Sequence, residues 1–234
     1  MKDIVISLFD LTGVMVQPWI DAGYTAYIVD IQHKTGIYQD AKQERLFRVG
    51  CDLRHGWLPP VETIGRIAFV AAFPECTNVA VSGAAHFKKK GSRALSLSLD
   101  LFAASKEIGE WSRAPYMIEN PVSTFSTYCG KPDHVFNPFD YGGYLPENDR
   151  HPRWPDYIAP RDAYPKKTCL WCGGGGGFVM PIKNEVIPEP GYSTQHKKLG
   201  GKSQKTKNIR SETPRGFSRA VFESNGQYLN ESAA

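Results

Sequence analysis

"DIVISLFDLTGVMVQPWIDAGYTAYIVDIQ", residues 3–32, decides the fold class. Residues 3–9 are apolar and β-rich, the pattern of a buried strand. "DLTGVMVQPWIDAGY" then turns the chain into a short helix, and "TAYIVDIQ" returns as a second strand ending at Asp30.

The alternation continues downstream. "RVGCDLRH" (48–55) reads as a third short element, and "VETIGRIAFVAAF" (61–73) leads into a fourth strand that ends at Pro74. "SRALSLSLDLFAASKEIGEWS" (92–112) has helical spacing, with Leu95, Leu99, Phe102 and Ile108 on the side that would face a sheet. "APYMIENP" (114–121) is a fifth strand, stopping at Glu119, Asn120 and Pro121. Strands alternating with helices give an α/β fold with a doubly wound, mostly parallel, Rossmann-like sheet. Such sheets bind ligands outside the carboxyl ends of their strands. Asp30, Cys76 and Glu119 all fall there.

The chain has 234 residues, 41% hydrophobic and 22% charged, which is ordinary globular material for one α/β domain. No apolar run approaches the ~18–20 residues of a membrane span. "MKDIVISLFD" carries Asp3 and lacks a small-residue cleavage site, so it reads as a first strand rather than a signal peptide, and the expectation is a soluble cytoplasmic protein. Five cysteines without a secretory signal argue against a disulfide framework. Cys169 and Cys172 in "CLWC" are half of a zinc site, which Cys51 and Cys129 would have to complete; no metal is expected.

The net charge of +4 is unevenly spread. Residues 196–219 carry eight Lys/Arg against the single Glu212, and "FKKKGSR" (87–93) is a second basic run. Such runs are commonly solvated faces. Beside a candidate nucleophile they favour a phosphate-backed substrate.

After residue 121 the texture changes. Residues 125–165 are rich in Pro, Tyr, Asp and Gly, and "CGGGGGF" (172–178) reads as a flexible loop, because no helix follows it to make a phosphate cradle. The division expected is a cofactor-binding and catalytic core over 1–124 and an irregular C-terminal region over 125–234 within one structural domain.

Taken in order, these pieces resemble the cytosine-5 DNA methyltransferases, from about residue 4 to residue 124 with a weaker echo near the C-terminus. "SLFDLTG" is similar to that family's first motif, Asp-Leu-Phe-x-Gly-x-Gly, with Leu11 at the first glycine position. "PECTNVAVSG" resembles the fourth motif, Pro-Cys followed by a glycine, with Cys76 and Gly83 in register and Glu75 where the family has proline. "IENPV" resembles the sixth motif, Glu-Asn-Val, and "GSRAL" (91–95) the fifth, with Ala94 replacing glycine. The resemblance implies S-adenosyl-L-methionine as cofactor, held by Phe9, Asp10, Thr12, Gly13 and Val14 in the first motif. Asp30 would take its ribose hydroxyls and Asp52 its adenine amino group, and Ile31, Leu53 and Pro74 would complete the set.

It also implies the chemistry. Carbon 5 of cytosine is a poor nucleophile until a thiolate adds to carbon 6, the role of Cys76. N3 must then be protonated or hydrogen-bonded, the role of Glu119, while Asn120 holds the loop. A carboxylate at Glu75 would oppose thiolate formation.

DNA is the implied partner, with the cytosine flipped or single-stranded. Ser82, Lys88, Lys89, Lys90 and Arg93 would meet it from the loop after Cys76. No Gln-x-Arg-x-Arg segment follows the sixth motif, so Lys166 or Lys167 would replace its arginine. Lys202, Lys205, Lys207 and Arg210 lie in a reduced recognition segment of roughly 180–213. "TPRGFSRAVFESN" reads as a returning helix capped by Thr213, Pro214 and Gly216. Short proteins of this build resemble phage-encoded homologues, which implies the host cytoplasm. Two other readings stay open: the same chemistry on a free cytosine nucleotide, a single strand or with another alkyl donor, and a non-catalytic nucleic-acid-binding homologue.

Overall fold

The computed structural model describes residues 1–200 and 203–229; Lys202 lies outside them. Its strands are β1 (Ile4–Leu8), β2 (Thr25–Val29), β3 (Gly36–Gln39), β4 (Leu46–Gly50), β5 (Ile67–Ala72), β6 (Tyr116–Pro121), β7 (His134–Phe136) and β8 (Thr168–Gly173). The helices are α1 (Gln17–Asp21), α2 (Phe87–Ser112), α3 (Phe125–Tyr128), α4 (Thr194–Lys198), α5 (Gln204–Arg210) and α6 (Arg215–Asn225).

All these strands share one sheet, in the order β3-β4-β2-β1-β5-β6-β8-β7. β4, β2, β1, β5 and β6 are parallel, while β3 and β8 run against their neighbours. The chain winds outward in opposite directions from β1 and β5, so the switch point lies between them and opens a crevice at their carboxyl ends. The expected doubly wound α/β sheet is therefore present.

The period-2 alternation of each strand builds two cores. Ile4, Ile6 and Leu8 of β1 join Val70 and Ala72 of β5 beneath Phe102 and Ile108 of α2. Val5 of β1 and Phe69 and Ala71 of β5 face the other way, toward Trp19 of α1 and Phe217, Val221 and Phe222 of α6. Leu95 and Leu99 pack at the edge of the first core, as the helical spacing requires.

Three local readings change. β3 and β4 form an antiparallel hairpin that begins ahead of the expected third element, and a side chain at Gly50 would lie 2.0 Å from the Lys34 carbonyl oxygen. The glycine run starts as a packed turn: Gly174 has φ +88°, and a Cβ there would sit 1.8 Å from the Ala114 carbonyl oxygen, while Gly176 and Gly177 are exposed and a Cβ at either would meet nothing closer than 4.0 Å. Helix α6 begins at Arg215, but its cap is the Asp162 carboxylate, which accepts from the Gly216 amide at 2.9 Å; Pro214 provides no side-chain cap.

Beyond residue 124, β7 and β8 extend the same sheet and α6 covers one of its faces. Cys169 and Cys172 lie on β8 with odd spacing, so they enter opposite cores and cannot share one ion. Among the described residues no group of three His, Cys, Asp or Glu side chains is placed to hold a metal. No described helix is long and apolar enough to cross a membrane.

Candidate active site

A cavity of about 910 Å³ opens where the carboxyl ends of β1, β2, β4, β5 and β6 meet. That volume is at the upper end of the range for small-molecule sites. One side is built from the turn after β1. Asp10 is buried, and its carboxylate accepts from Ser7 Oγ at 2.8 Å, the Thr12 amide at 2.9 Å and the Gly13 amide at 2.7 Å. It organises the turn. Phe9 (φ 58°) and Gly13 (φ 77°) take the left-handed conformations, while Leu11 needs none. The leucine at the first glycine position is thus compatible with the turn, and its side chain lines the cavity with Phe9 and Thr12. Gly13 and Val14 do not line it.

Asp30 and Ile31 line the cavity beyond β2, and Ile31 is 65% exposed. Asp30 Oδ1 accepts from the Gln32 amide at 2.7 Å, and burial raises the carboxyl above its usual range. After β4, Asp52 and Leu53 also line the cavity. The Asp52 carboxylate is gripped by the Arg54 guanidinium, whose hydrogen bond holds its pKa down at about 2. Its acceptor capacity is therefore shared with Arg54 before any base approaches.

β5 delivers Pro74 and Cys76, and the neighbouring β6 delivers Glu119 and Asn120. Asn120 Nδ2 donates to the Pro74 carbonyl oxygen at 2.8 Å, a buried bond joining the two strand ends. Glu119 Oε1 is sealed from solvent without a hydrogen-bond partner. Burial pushes its carboxyl up, which favours the neutral acid; Lys166 opposes this. Burial likewise raises the Cys76 thiol, with Lys166 pulling it down and Glu119 and Glu75 adding smaller upward pushes. Glu75 is turned aside, accepting from Thr77 Oγ1 at 2.6 Å. Desolvation, rather than Glu75, is the main obstacle to the thiolate.

The far wall comes from the C-terminal half. Lys166, Lys207, Arg210 and Thr213 line the cavity, together with Ser193, Gln195, His196, Gln204 and Ser211. Lys166 Nζ donates to the Arg210 carbonyl oxygen at 3.3 Å, and Gln204 Nε2 donates to Gln32 Oε1 at 3.2 Å across the mouth. Ser82 is also at the cavity, whereas Lys89, Arg93, Lys167 and Lys205 are not. Lys205 instead lies over the Trp154 ring at 5.8 Å. Lys88 and Lys90 line a separate, smaller cavity.

Sequence reasoning missed the wall residues Tyr164 and Gln195. Both are buried, and burial raises the Tyr164 hydroxyl well above its usual value. Tyr164 lies outside any helix or strand and Gln195 in the five-residue α4, too short to leave a periodic signal, so only the fold brings them to the cavity. The arrangement brings a thiol, a carboxyl whose burial favours its neutral form and a lysine to one space, with a second carboxyl, Asp30, at the other end.

No family model matches the chain, and no curated protein matches it. Among solved structures it is similar to the glycopeptide N-methyltransferase MtfA, at 12% identity over 50% of this chain and 46% of that one, with a TM-score of 0.29. A structure of MtfA complexed with (S)-adenosyl-L-methionine aligns at 9% identity over 58% of this chain and 53% of that one, with a TM-score of 0.27. This chain thus aligns with about half the length of that enzyme.

Proposed function

We propose that this protein transfers a methyl group from S-adenosyl-L-methionine to carbon 5 of cytosine in DNA through a covalent Cys76 adduct. The observation that carries the reading is the meeting of Cys76 with Glu119 at adjacent strand ends, where both residues line one cavity and Glu119 Oε1 is buried without a partner. The residues at the other end fit the cofactor. Asp30 has acceptor capacity left for ribose hydroxyls, and the exposed Ile31 offers an apolar face to adenine. Bound there, the cofactor supplies an electrophilic methyl sulfonium.

The chain's own groups do the rest. Cys76 loses its thiol proton to solvent and its Sγ bonds to carbon 6, while Glu119 gives its proton to N3, which turns carbon 5 into a nucleophile. Once carbon 5 is alkylated, loss of its proton to solvent and expulsion of the thiolate restore the aromatic ring, and N3 returns its proton to Glu119. Lys166 favours the Cys76 thiolate throughout.

A second reading concerns the form of the cytosine. The basic segment expected to read a duplex supplies the wall of the cavity instead, and Gln204 bridges it to Gln32. This favours a single strand or a free cytosine nucleotide over a duplex. Labelled S-adenosyl-L-methionine offered with duplex DNA, the same single strand and dCMP separates these cases. Transfer to any cytosine substrate that disappears in Cys76→Ser supports the reading. A wild-type protein that binds the cofactor and labels none of the three contradicts it, and leaves the non-catalytic nucleic-acid-binding homologue.

A further inference from the structure

A second cavity, of about 300 Å³, adjoins the first through Asn78, which lines both. Asn78 is two residues beyond Cys76, at most about 7 Å of chain. The cavity sits where α2 starts. Lys90 Nζ donates to the Thr77 carbonyl oxygen and draws that helix end against the Cys76 loop. Phe87, Lys88, Thr124 and Tyr128 complete the lining used in this argument. Lys88 is exposed, and Tyr128 is 58% exposed. Thr124 Oγ1 is sealed from solvent and has no partner.

The chemistry is specific in kind. Two aromatic side chains line it and suit a planar heterocycle, Lys88 offers charge to a phosphodiester, and the Asn78 amide can hydrogen-bond. Nothing in the methyl-transfer reaction uses these groups. We propose that this cavity is a subsite for the nucleotide adjacent to the target cytosine in a single strand, with its base against Tyr128 and its phosphate at Lys88. The inference rests on the reading of the main cavity as a cytosine site, and it makes the substrate a polynucleotide rather than a free nucleotide.

Equilibrium binding of dCMP and of the trinucleotide dTdCdT, with methyl transfer measured in parallel, tests it. The wild type is expected to bind the trinucleotide at least about tenfold more tightly, within the range of one base–aromatic stack. Tyr128→Ala removes that advantage, leaves dCMP binding unchanged, and is matched by a Tyr128→Phe variant that retains it. Lys88→Ala lowers the slope of log affinity against log salt for the trinucleotide by about 0.7, the loss of one single-strand phosphate contact. Absence of a trinucleotide preference in the wild type overturns the subsite, as does an equal loss of both ligands in Tyr128→Ala. Trinucleotide preference without methyl transfer would overturn the reading of the main cavity and leave the subsite standing.

Discussion

The side-chain amide of Asn120 donates to the main-chain carbonyl of Pro74 across 2.8 Å inside the protein. The two residues end neighbouring parallel strands, and the bond fixes the segment carrying Cys76 relative to Glu119. Removing the amide strands a buried carbonyl oxygen. Asn120→Ala is expected to cost about 1–3 kcal/mol of stability and to lower kcat more than it raises KM. Denaturant unfolding and steady-state kinetics check this; an unchanged midpoint and unchanged kcat would remove Asn120 from the positioning role.

The two raised pKa values set the pH dependence. Thiolate chemistry at Cys76 improves as pH rises, while proton donation from Glu119 fails as pH rises through its elevated pKa. The product is a bell-shaped kcat/KM profile. Glu119→Gln stays neutral at every pH, so its lower residual activity is expected to show only a rising limb set by Cys76. A bell that persists in Glu119→Gln would show that another group is the acid.

Lys166 favours the charged form of Cys76. Lys166→Met is expected to shift the thiol further upward and to slow the reaction most at neutral pH. The rate of alkylation at the Cys76 peptide, followed by mass spectrometry against pH, reads the thiol directly. An alkylation midpoint unmoved in Lys166→Met would assign Lys166 no part in activating the cysteine.

Asp30 opposes stability at the position where the proposed reading has it bind the cofactor. Its folded pKa is raised by burial, so the folded state holds the proton more tightly than the unfolded chain. Stability is therefore lost as pH rises from the ordinary carboxyl range through the folded pKa, and the loss is complete above it. Asp30→Asn is expected to keep or raise Tm at neutral pH while weakening cofactor affinity about 10- to 100-fold. Calorimetry of unfolding and of cofactor binding measures both; unaltered affinity would take Asp30 off the ribose.

Much of this architecture was legible in the residues. β1, β2, β5 and β6 follow from apolar runs that stop at polar residues, and α2 from the spacing of Leu95, Leu99, Phe102 and Ile108. Cys76 and Glu119 could be placed at strand ends before any contact was known. The β3–β4 hairpin was not legible, because Gly36–Gln39 is a short, largely exposed edge strand without a clear apolar alternation. The packed Gly174 turn depends on its approach to Ala114, and the wall made by Gln195 and Gln204 depends on long-range contacts. The inward role of Asp10 needs the hydrogen bonds that its turn forms, which residue identity alone does not specify.

The central claim is that Cys76 becomes covalently bonded to the cytosine ring. A single strand containing 5-fluorocytosine, incubated with the protein and S-adenosyl-L-methionine and then digested, tests it by peptide mass. Fluorine at carbon 5 cannot leave as a proton does, so the thiol remains attached. The expected result is an oligonucleotide adduct on the Cys76 peptide, dependent on cofactor and absent in Cys76→Ser. Methyl transfer to ordinary cytosine by Cys76→Ser, or an adduct on one of the other four cysteines, would contradict the account.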